Sequence, residues 1–535
     1  MKINRRIFIF LMIVSIVLSC TACGKQVVND SADNSLVESF LYDNESGSNS
    51  SLNKEDFSSS KYAENSSNVN PVKPSGSSDI VSSKPSTSSD KIQTGASSVL
   101  PSEPSDFVSS EIIVTDSDRP KYKPTSLTVN FYNTAESSYG FTWNTEFMPL
   151  KPVIQICEGT TFNEGSCQEF AASVKTELVN MPRVTLIYFS KVKAVLKPGT
   201  TYTYRAYDKG AEIGSSTAVF RTADFNASAF SFVHVSDSQV TGSSSDTDYT
   251  GAGTGKAFGD TLSGIFQNKP SFLLHTGDIV EYSKYETYWK NMLDFNGKFI
   301  RELPFMPISG NHETTYRSGS NEIFKHFNLK IPNQETKYGF YYAFDYGQVK
   351  FIMLNTNKQE SDGLTYGQYN WLVDTLKNNN KKWVIVSMHH PMYSVGKWGA
   401  NPSENAYSLS LRKQLTKLFA EYKVDLVLQG HDHTYSKTYP IKADGTADLS
   451  PTYETKDSIK YIVNPKGVTY SMHGTAGTQT RSPYKIDKNL FEIAAASKVS
   501  SWADIKVESD RLTVNIMYYK DGKPTLFDSY GIIKK

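Results

Sequence analysis

Five short blocks hold the side chains able to do chemistry: Asp237-Ser238-Gln239, Gly277-Asp278, Gly310-Asn311-His312-Glu313, His389-His390-Pro391 and Gly430-His431-Asp432-His433. They offer carboxylates, amides and imidazoles, the oxygen and nitrogen donors that hold metal ions. Asp278 is the natural centre. A carboxylate has two oxygens and can bridge two ions, and the glycine before it lets the backbone come close to a bound charge. Taken singly, each block has a plainer reading as a turn aspartate, a helix cap or a hydrogen-bonded core histidine.

What joins the blocks is the element ahead of each. Apolar runs at 231–235 (SFVHV), 272–274 (FLL), 305–308, 383–388 (WVIVSM) and 424–428 (VDLVL) have strand length and stop at turn residues such as Thr276 and Gly277. Ligands in α/β sheets bind beyond strand ends, so five such strands predict one composite site. Helical composition falls at 255–267, 284–295, 321–327 and 368–376, and a hairpin at 341–344 and 349–354. Further strands are expected at 468–472, 502–507 and 512–519, with Asp521-Gly522 as a hairpin turn. This predicts an α/β domain over 228–535, two mixed sheets flanked by helices.

In this order the blocks resemble the calcineurin-like metallophosphoesterase superfamily, whose pattern runs D-x-H, G-D, G-N-H-[DE], H and G-H-x-H. The β-rich, Trp- and Tyr-containing segment ahead of them is similar to the purple acid phosphatase branch. The resemblance implies two metal ions, one held by Asp237, Asp278 and His433, the other by Asp278, Asn311, His389 and His431. Divalent or trivalent Fe, Zn or Mn would suit them. It implies that His312 binds a phosphoryl oxygen or protonates the leaving group, with His390 assisting or supporting its neighbour. The implied reaction is hydrolysis of small phosphate monoesters by a metal-bound hydroxide. Phosphodiester or nucleotide hydrolysis at the same site is one alternative, and a catalytically inactive surface-binding protein another. Two positions depart from the pattern. Gln239 stands where D-x-H has its histidine, and is expected to coordinate through oxygen or to act through water. The branch also places a tyrosine three residues after the bridging aspartate; here Glu281 occupies that position and Tyr282 comes one place late, so no iron-tyrosinate colour is expected. Glu281 is either a loop acid or a residue that orients a ligand.

Ahead of these blocks the chain changes character twice. Lys2, Arg5 and Arg6 precede an apolar run over 7–18, the length of a signal h-region. VLSC and CTAC then resemble a lipoprotein box with Cys20 or Cys23 as the lipidated residue, so 1–23 reads as a lipoprotein-type signal peptide. Residues 24–121 are rich in Ser, Asn, Asp, Pro and Lys and cannot bury enough apolar surface to fold. They read as a disordered tether with a reach of roughly 55 Å. Residues 122–223 alternate apolar and polar between turns, predicting an antiparallel sandwich with Trp143 in its core. Leu196, Pro198, Thr200 and Tyr202 resemble the tyrosine corner of fibronectin type III domains. Cys157 and Cys167 are expected to pair in an oxidising compartment, with free thiols as the alternative.

The expected location is therefore the bacterial cell surface, extracellular and joined to the membrane by a lipid. A net charge of +1 with 38% hydrophobic residues gives no reason to expect nucleic acid as a partner; oligomeric state is not fixed by composition. Of the remaining histidines, His234 and His275 are expected to be bonded internally and His326 to lie at the surface or boundary. His473 belongs to a Gly-rich turn that is either structural or approaches the cleft. Tyr393 lines the pocket or packs beside it.

Overall fold

The computed structural model describes residues 112–181, 183–225, 227–242, 254–314, 322–332, 339–357 and 363–535. The segments expected to form a signal peptide, with Cys20 and Cys23, and a tether lie outside the described residues as far as residue 111. A short helix, Arg119–Tyr122, leads into the first strand and buries Tyr122.

Residues from Thr125 to Arg221 form two antiparallel sheets. One orders its strands Thr125–Phe131, Ser138–Thr145, Arg183–Val195, Ser173–Met181; the other orders Gln168–Ala171, Pro152–Glu158, Thr201–Asp208, Ile213–Gly214, with Ala218–Arg221 also on Thr201–Asp208. Trp143 is 1% exposed between them. The Tyr202 hydroxyl accepts the Lys197 N–H at 3.0 Å, tying the strand start to the preceding turn. Cys157 and Cys167 are disulfide-bonded.

Two larger sheets follow. The first orders Phe305–Pro307, Leu273–His275, Phe230–Val235, Ser501–Val507, Arg511–Lys520, Lys523–Ile533, Ile459–Val463, Tyr453–Lys456. The second orders Tyr342–Tyr346, Val349–Leu354, Trp383–Met388, Leu426–Gln429, Thr469–His473, Tyr435–Thr438, Phe491–Ala495. Side chains alternate faces along a strand, and the burial obeys this. Trp383, Ile385, Leu426 and Leu428 join the core shared with the first sheet. Val384, Val386 and Val427 pack outward against Leu372, Leu376, Leu411 and Leu415 of helices Tyr366–Lys377 and Ala406–Glu421. Helices Gly255–Phe266 and Glu286–Leu293 cover the first sheet. Asp521 and Gly522 both have positive φ, 51° and 78°, as the tight turn between the last two strands requires.

The sandwich shares its core with the larger sheets. Phe131 packs its ring 5.4 Å from Phe272 and 5.5 Å from Phe344. Thr128 Oγ1 donates to the His326 carbonyl at 2.7 Å, and Asn130 Nδ2 to that of Asn328 at 2.7 Å. This contact corrects the reading of His326 as a surface or boundary residue. It is 1% exposed, its ring 4.4 Å from Trp289 and 5.5 Å from Phe189. Helix Glu322–His326 is polar enough to look solvated, but the sandwich covers it. At the same seam a Cβ on Gly140 would fall 2.1 Å from the Asn328 carbonyl oxygen. Backbone cannot yield as a side chain does, so Gly140→Ala is expected to cost about 1–3 kcal/mol by overpacking, read as a lower urea midpoint at unchanged slope.

Candidate metal centre

All five donor blocks sit at the carboxyl ends of parallel strands. In the first sheet Val235 is level with His275 and His275 with Pro307; in the second Ser387 is level with Leu428. The loops beyond are tightly drawn. Asp237, Gln239, Asp278, His431 and His433 have left-handed φ of 54°, 38°, 54°, 77° and 52°. Such backbone costs about 1–3 kcal/mol per non-glycine residue and persists only where surrounding structure over-determines it.

Glu313 does much of that work in the Asp278 loop. Its Oε2 accepts the N–H groups of Asp278 and Gly310 at 2.8 Å each, and its Oε1 those of Ile279 and Val280 at 2.8 and 3.2 Å. One fully buried carboxylate thus joins two strand ends. Gly277 is needed at the same junction. Its φ is 95°, and a Cβ there would lie 2.5 Å from Gly310 N and 2.9 Å from His389 Nδ1.

The donor atoms converge on Asp278. Its Oδ2 lies 3.2 Å from His389 Nε2. That nitrogen is also 2.9 Å from Asn311 Oδ1 and 3.2 Å from His431 Nδ1. On the other side His433 Nε2 stands 3.3 Å from Asp237 Oδ1, and Asp237 accepts the His431 N–H at 2.9 Å. Backbone carbonyls aim three of the imidazoles. His389 Nδ1–H donates to Thr276 O at 2.8 Å, His312 Nδ1–H to Glu281 O at 2.7 Å, and His433 Nδ1–H to Gln479 O. Each bond leaves Nε2 as the atom facing the cluster, a common arrangement around metal-binding histidines.

Electrostatics bind the cluster together. Burial alone would raise the Asp278 carboxyl, but the imidazoles of His389, His312 and His431 hold it well below the usual carboxylate range. Burial lowers His389, yet Asp278 and Asp237 bring it up to about 9. His312 is likewise depressed by burial and raised more by Asp278 and Glu281. Burial and the His389 charge take His390 down to about 3.

The residues fit a bound cation. Asp237, Asp278 and His389 bring ligand atoms within 4.8 Å of one another, as do His389, His390 and His431. Gln239 Oε1 is buried without a hydrogen-bond partner, while its Nε2 lies 3.2 Å from His312 Nε2. An unpaired buried oxygen costs about 1–3 kcal/mol, which a cation beside it would relieve.

Other residues singled out by sequence divide cleanly. His390 joins the centre, its Nδ1 3.3 Å from Thr356 Oγ1 and its ring 4.6 Å from His431. Glu281 contributes through its carbonyl to His312, and its Oε2 accepts from Gln479 Nε2 at 3.1 Å. Tyr282 packs 6.2 Å from both Tyr285 and Tyr288. His234 and His275 bond internally, to Thr276 Oγ1 and Ser238 Oγ at 2.9 Å each. His473 is core, 2.7 Å from His234 Nδ1; the turn after it does reach the centre, since Thr475 Oγ1 donates to Asp237 O at 2.6 Å. Tyr393 packs inward, bonded to Thr416 Oγ1 at 3.0 Å.

Three contributors escaped the sequence reading. The roles of Glu313 and Asp432 were signalled only by their place inside the GNHE and GHDH blocks. Asp432 accepts the N–H groups of Trp398 and Gly399 at 3.0 Å each, holding the Trp398 ring 5.4 Å from His431. Gln479 carried no signal, being brought to His433 by topology alone.

Comparison with known proteins places this geometry. Residues 230–435 match the calcineurin-like phosphoesterase family. An uncharacterized protein of Mycobacterium tuberculosis is 28% identical over 310 residues, covering 53% of this chain and 56% of that one. Purple acid phosphatase 21 of Arabidopsis thaliana is 28% identical over 275 residues, covering 49% and 55%. The chain thus spans about half the length of the curated relatives it matches. In fold it is similar to the purple acid phosphatase PPD1 of yellow lupin, with TM-score 0.64, 18% identity and coverage of 77% and 75%. Residues 230–435 thus match the calcineurin-like phosphoesterase family, and the chain is similar in sequence and in fold to purple acid phosphatases.

Proposed function

We propose that this chain is a metal-dependent phosphatase that hydrolyses small phosphate monoesters at a dinuclear centre. The observation that carries the reading is the convergence on Asp278 of His389, Asn311 and His431 on one side and of the Asp237–His433 pair on the other. Asp237, Asp278 and His433, with Gln239 through its unpaired oxygen, would hold one ion. Asp278, Asn311, His389 and His431 would hold the second, with His390 alongside. Fe, Zn or Mn ions suit such mixed oxygen and nitrogen donors. Ions bound there supply Lewis-acid activation of water and neutralise charge on phosphoryl oxygens.

The chain's own groups do the rest. Glu313 and the drawn loops fix the donors before substrate arrives. His312 presents Nε2 to the cleft beside Asp278 and Gln239. Burial lowers the His312 pKa but Asp278 and Glu281 raise it above the ordinary imidazole value, which suits a group that holds a phosphoryl oxygen or protonates the departing one. The signal-like start, with Cys20 and Cys23, supports attachment at the bacterial surface. The Cys157–Cys167 disulfide supports an oxidising compartment.

The test uses the full chain with p-nitrophenyl phosphate and bis-p-nitrophenyl phosphate, before and after exhaustive chelation. The monoester should turn over faster, fall at least about 100-fold on metal removal, and recover when Zn, Mn or Fe is returned. Faster diester cleavage would move the reading to a phosphodiesterase, and turnover indifferent to chelation would end it.

A further inference from the structure

Four of the six tryptophans belong to the core: Trp143, Trp289, Trp383 and Trp502 are fully buried. Trp371 is half-buried and still packs on the outer core under helices Tyr366–Lys377 and Ala406–Glu421. Trp398 is also half-buried, but among the described residues it packs into neither core. An indole is a large apolar body that gains by leaving water. One kept out of both cores is placed for something other than folding.

Its surroundings show what that is. Trp398 lies in the short helix Lys397–Ala400, with its ring 5.4 Å from that of His431 at an interplanar angle of 48°. Four hydrogen bonds fix its backbone and that of Gly399. Asp432, between His431 and His433, accepts both N–H groups at 3.0 Å each. Ser408 Oγ donates to the Trp398 carbonyl at 3.4 Å, and Arg412 Nη2 to that of Gly399 at 3.2 Å. The same loop is pressed against Asp432, since a Cβ on Gly396 would fall 2.4 Å from its Cγ. Lys397 Nζ lies over the indole, 5.3 Å from the ring centroid, and is tied to Glu404 Oε1 at 3.0 Å. A half-exposed aromatic ring is thus held in one place beside the donor cluster. Aromatic walls next to a few convergent polar groups are the usual lining of small-molecule pockets.

Resting on the phosphatase reading, we propose that Trp398 is a specificity-determining residue that stacks on the alcohol part of the substrate. The substrate class is then a phosphate monoester whose alcohol carries a flat aromatic ring. An indole takes such a ring by offset or edge-on stacking and offers a flexible polyol much less.

The experiment compares wild type, Trp398→Phe and Trp398→Leu, all full chain, on phenyl phosphate and glycerol 2-phosphate. Each protein is read by the ratio of its kcat/KM values on the two esters, which a partly folded preparation leaves unchanged. Trp398→Leu should lower that ratio by about 10- to 100-fold through KM for phenyl phosphate, and Trp398→Phe should recover part of it. A calorimetric titration measures binding of phenylphosphonate and methylphosphonate without turnover. Tighter binding of phenylphosphonate by wild type, lost in Trp398→Leu, supports the proposal even if neither ester is cleaved, in which case the phosphatase reading alone fails. A Trp398→Leu ratio within about 3-fold of wild type overturns the proposal, as does equal binding of the two phosphonates by wild type.

Discussion

Asp278→Asn is expected to lower kcat/KM on p-nitrophenyl phosphate by at least about 10³-fold while leaving the protein folded. The amide keeps an oxygen for the His312 N–H, now bound at 2.9 Å to Oδ1. What it loses is the charge facing His389, 3.2 Å from Oδ2, and with it the one group able to serve both halves of the centre. The imidazoles that hold the Asp278 carboxyl below its ordinary range are stabilised by its charge in turn, so the metal-free variant should melt below metal-free wild type while still unfolding in one cooperative transition. Loss of turnover and of bound metal in a chain that still unfolds cooperatively separates a ligand from a residue needed for folding. Activity within about 10-fold of wild type would remove Asp278 from the centre.

Glu313→Gln is expected to act in the opposite way, damaging the frame first. Both carboxylate oxygens accept two backbone N–H groups, so any orientation of the amide turns an NH2 toward two donors. Two bonds go and repulsion replaces them, at a cost of about 2–4 kcal/mol. The loop carrying Asp278 then shifts against the one carrying Asn311. Displacements near 1 Å can cost about 100-fold in rate, so activity should fall by roughly that factor. Chemical denaturation and steady-state kinetics on the same sample check both parts. A lower rate with unchanged stability would instead place Glu313 in contact with substrate.

The sequence revealed the centre better than its supports. Donors at strand ends are local signals, because an apolar run and the polar residue that ends it are adjacent in the chain. Trp143 and the Asp521-Gly522 turn were legible for the same reason. Contacts made by distant segments were not. His326 looked exposed because its covering comes from Phe189 and strand Thr125–Phe131, more than a hundred residues earlier. Gln479 meets His433 only after strands Leu426–Gln429 and Thr469–His473 pair in parallel. Strand Ser501–Val507 lies beside Phe230–Val235 across most of the domain's length. Helix Ala406–Glu421 passed unread although Leu411, Leu415 and Phe419 recur at helical spacing.

Metal content per folded chain is the most direct test of the central claim. Mass-spectrometric quantification on full-length wild type and Asp278→Asn, prepared side by side, should find about two transition-metal ions per wild-type chain. The variant should hold fewer than one. Wild-type protein that is folded and still metal-free after incubation with Zn, Mn and Fe would contradict the account, and a variant that retains both ions would contradict the place given to Asp278.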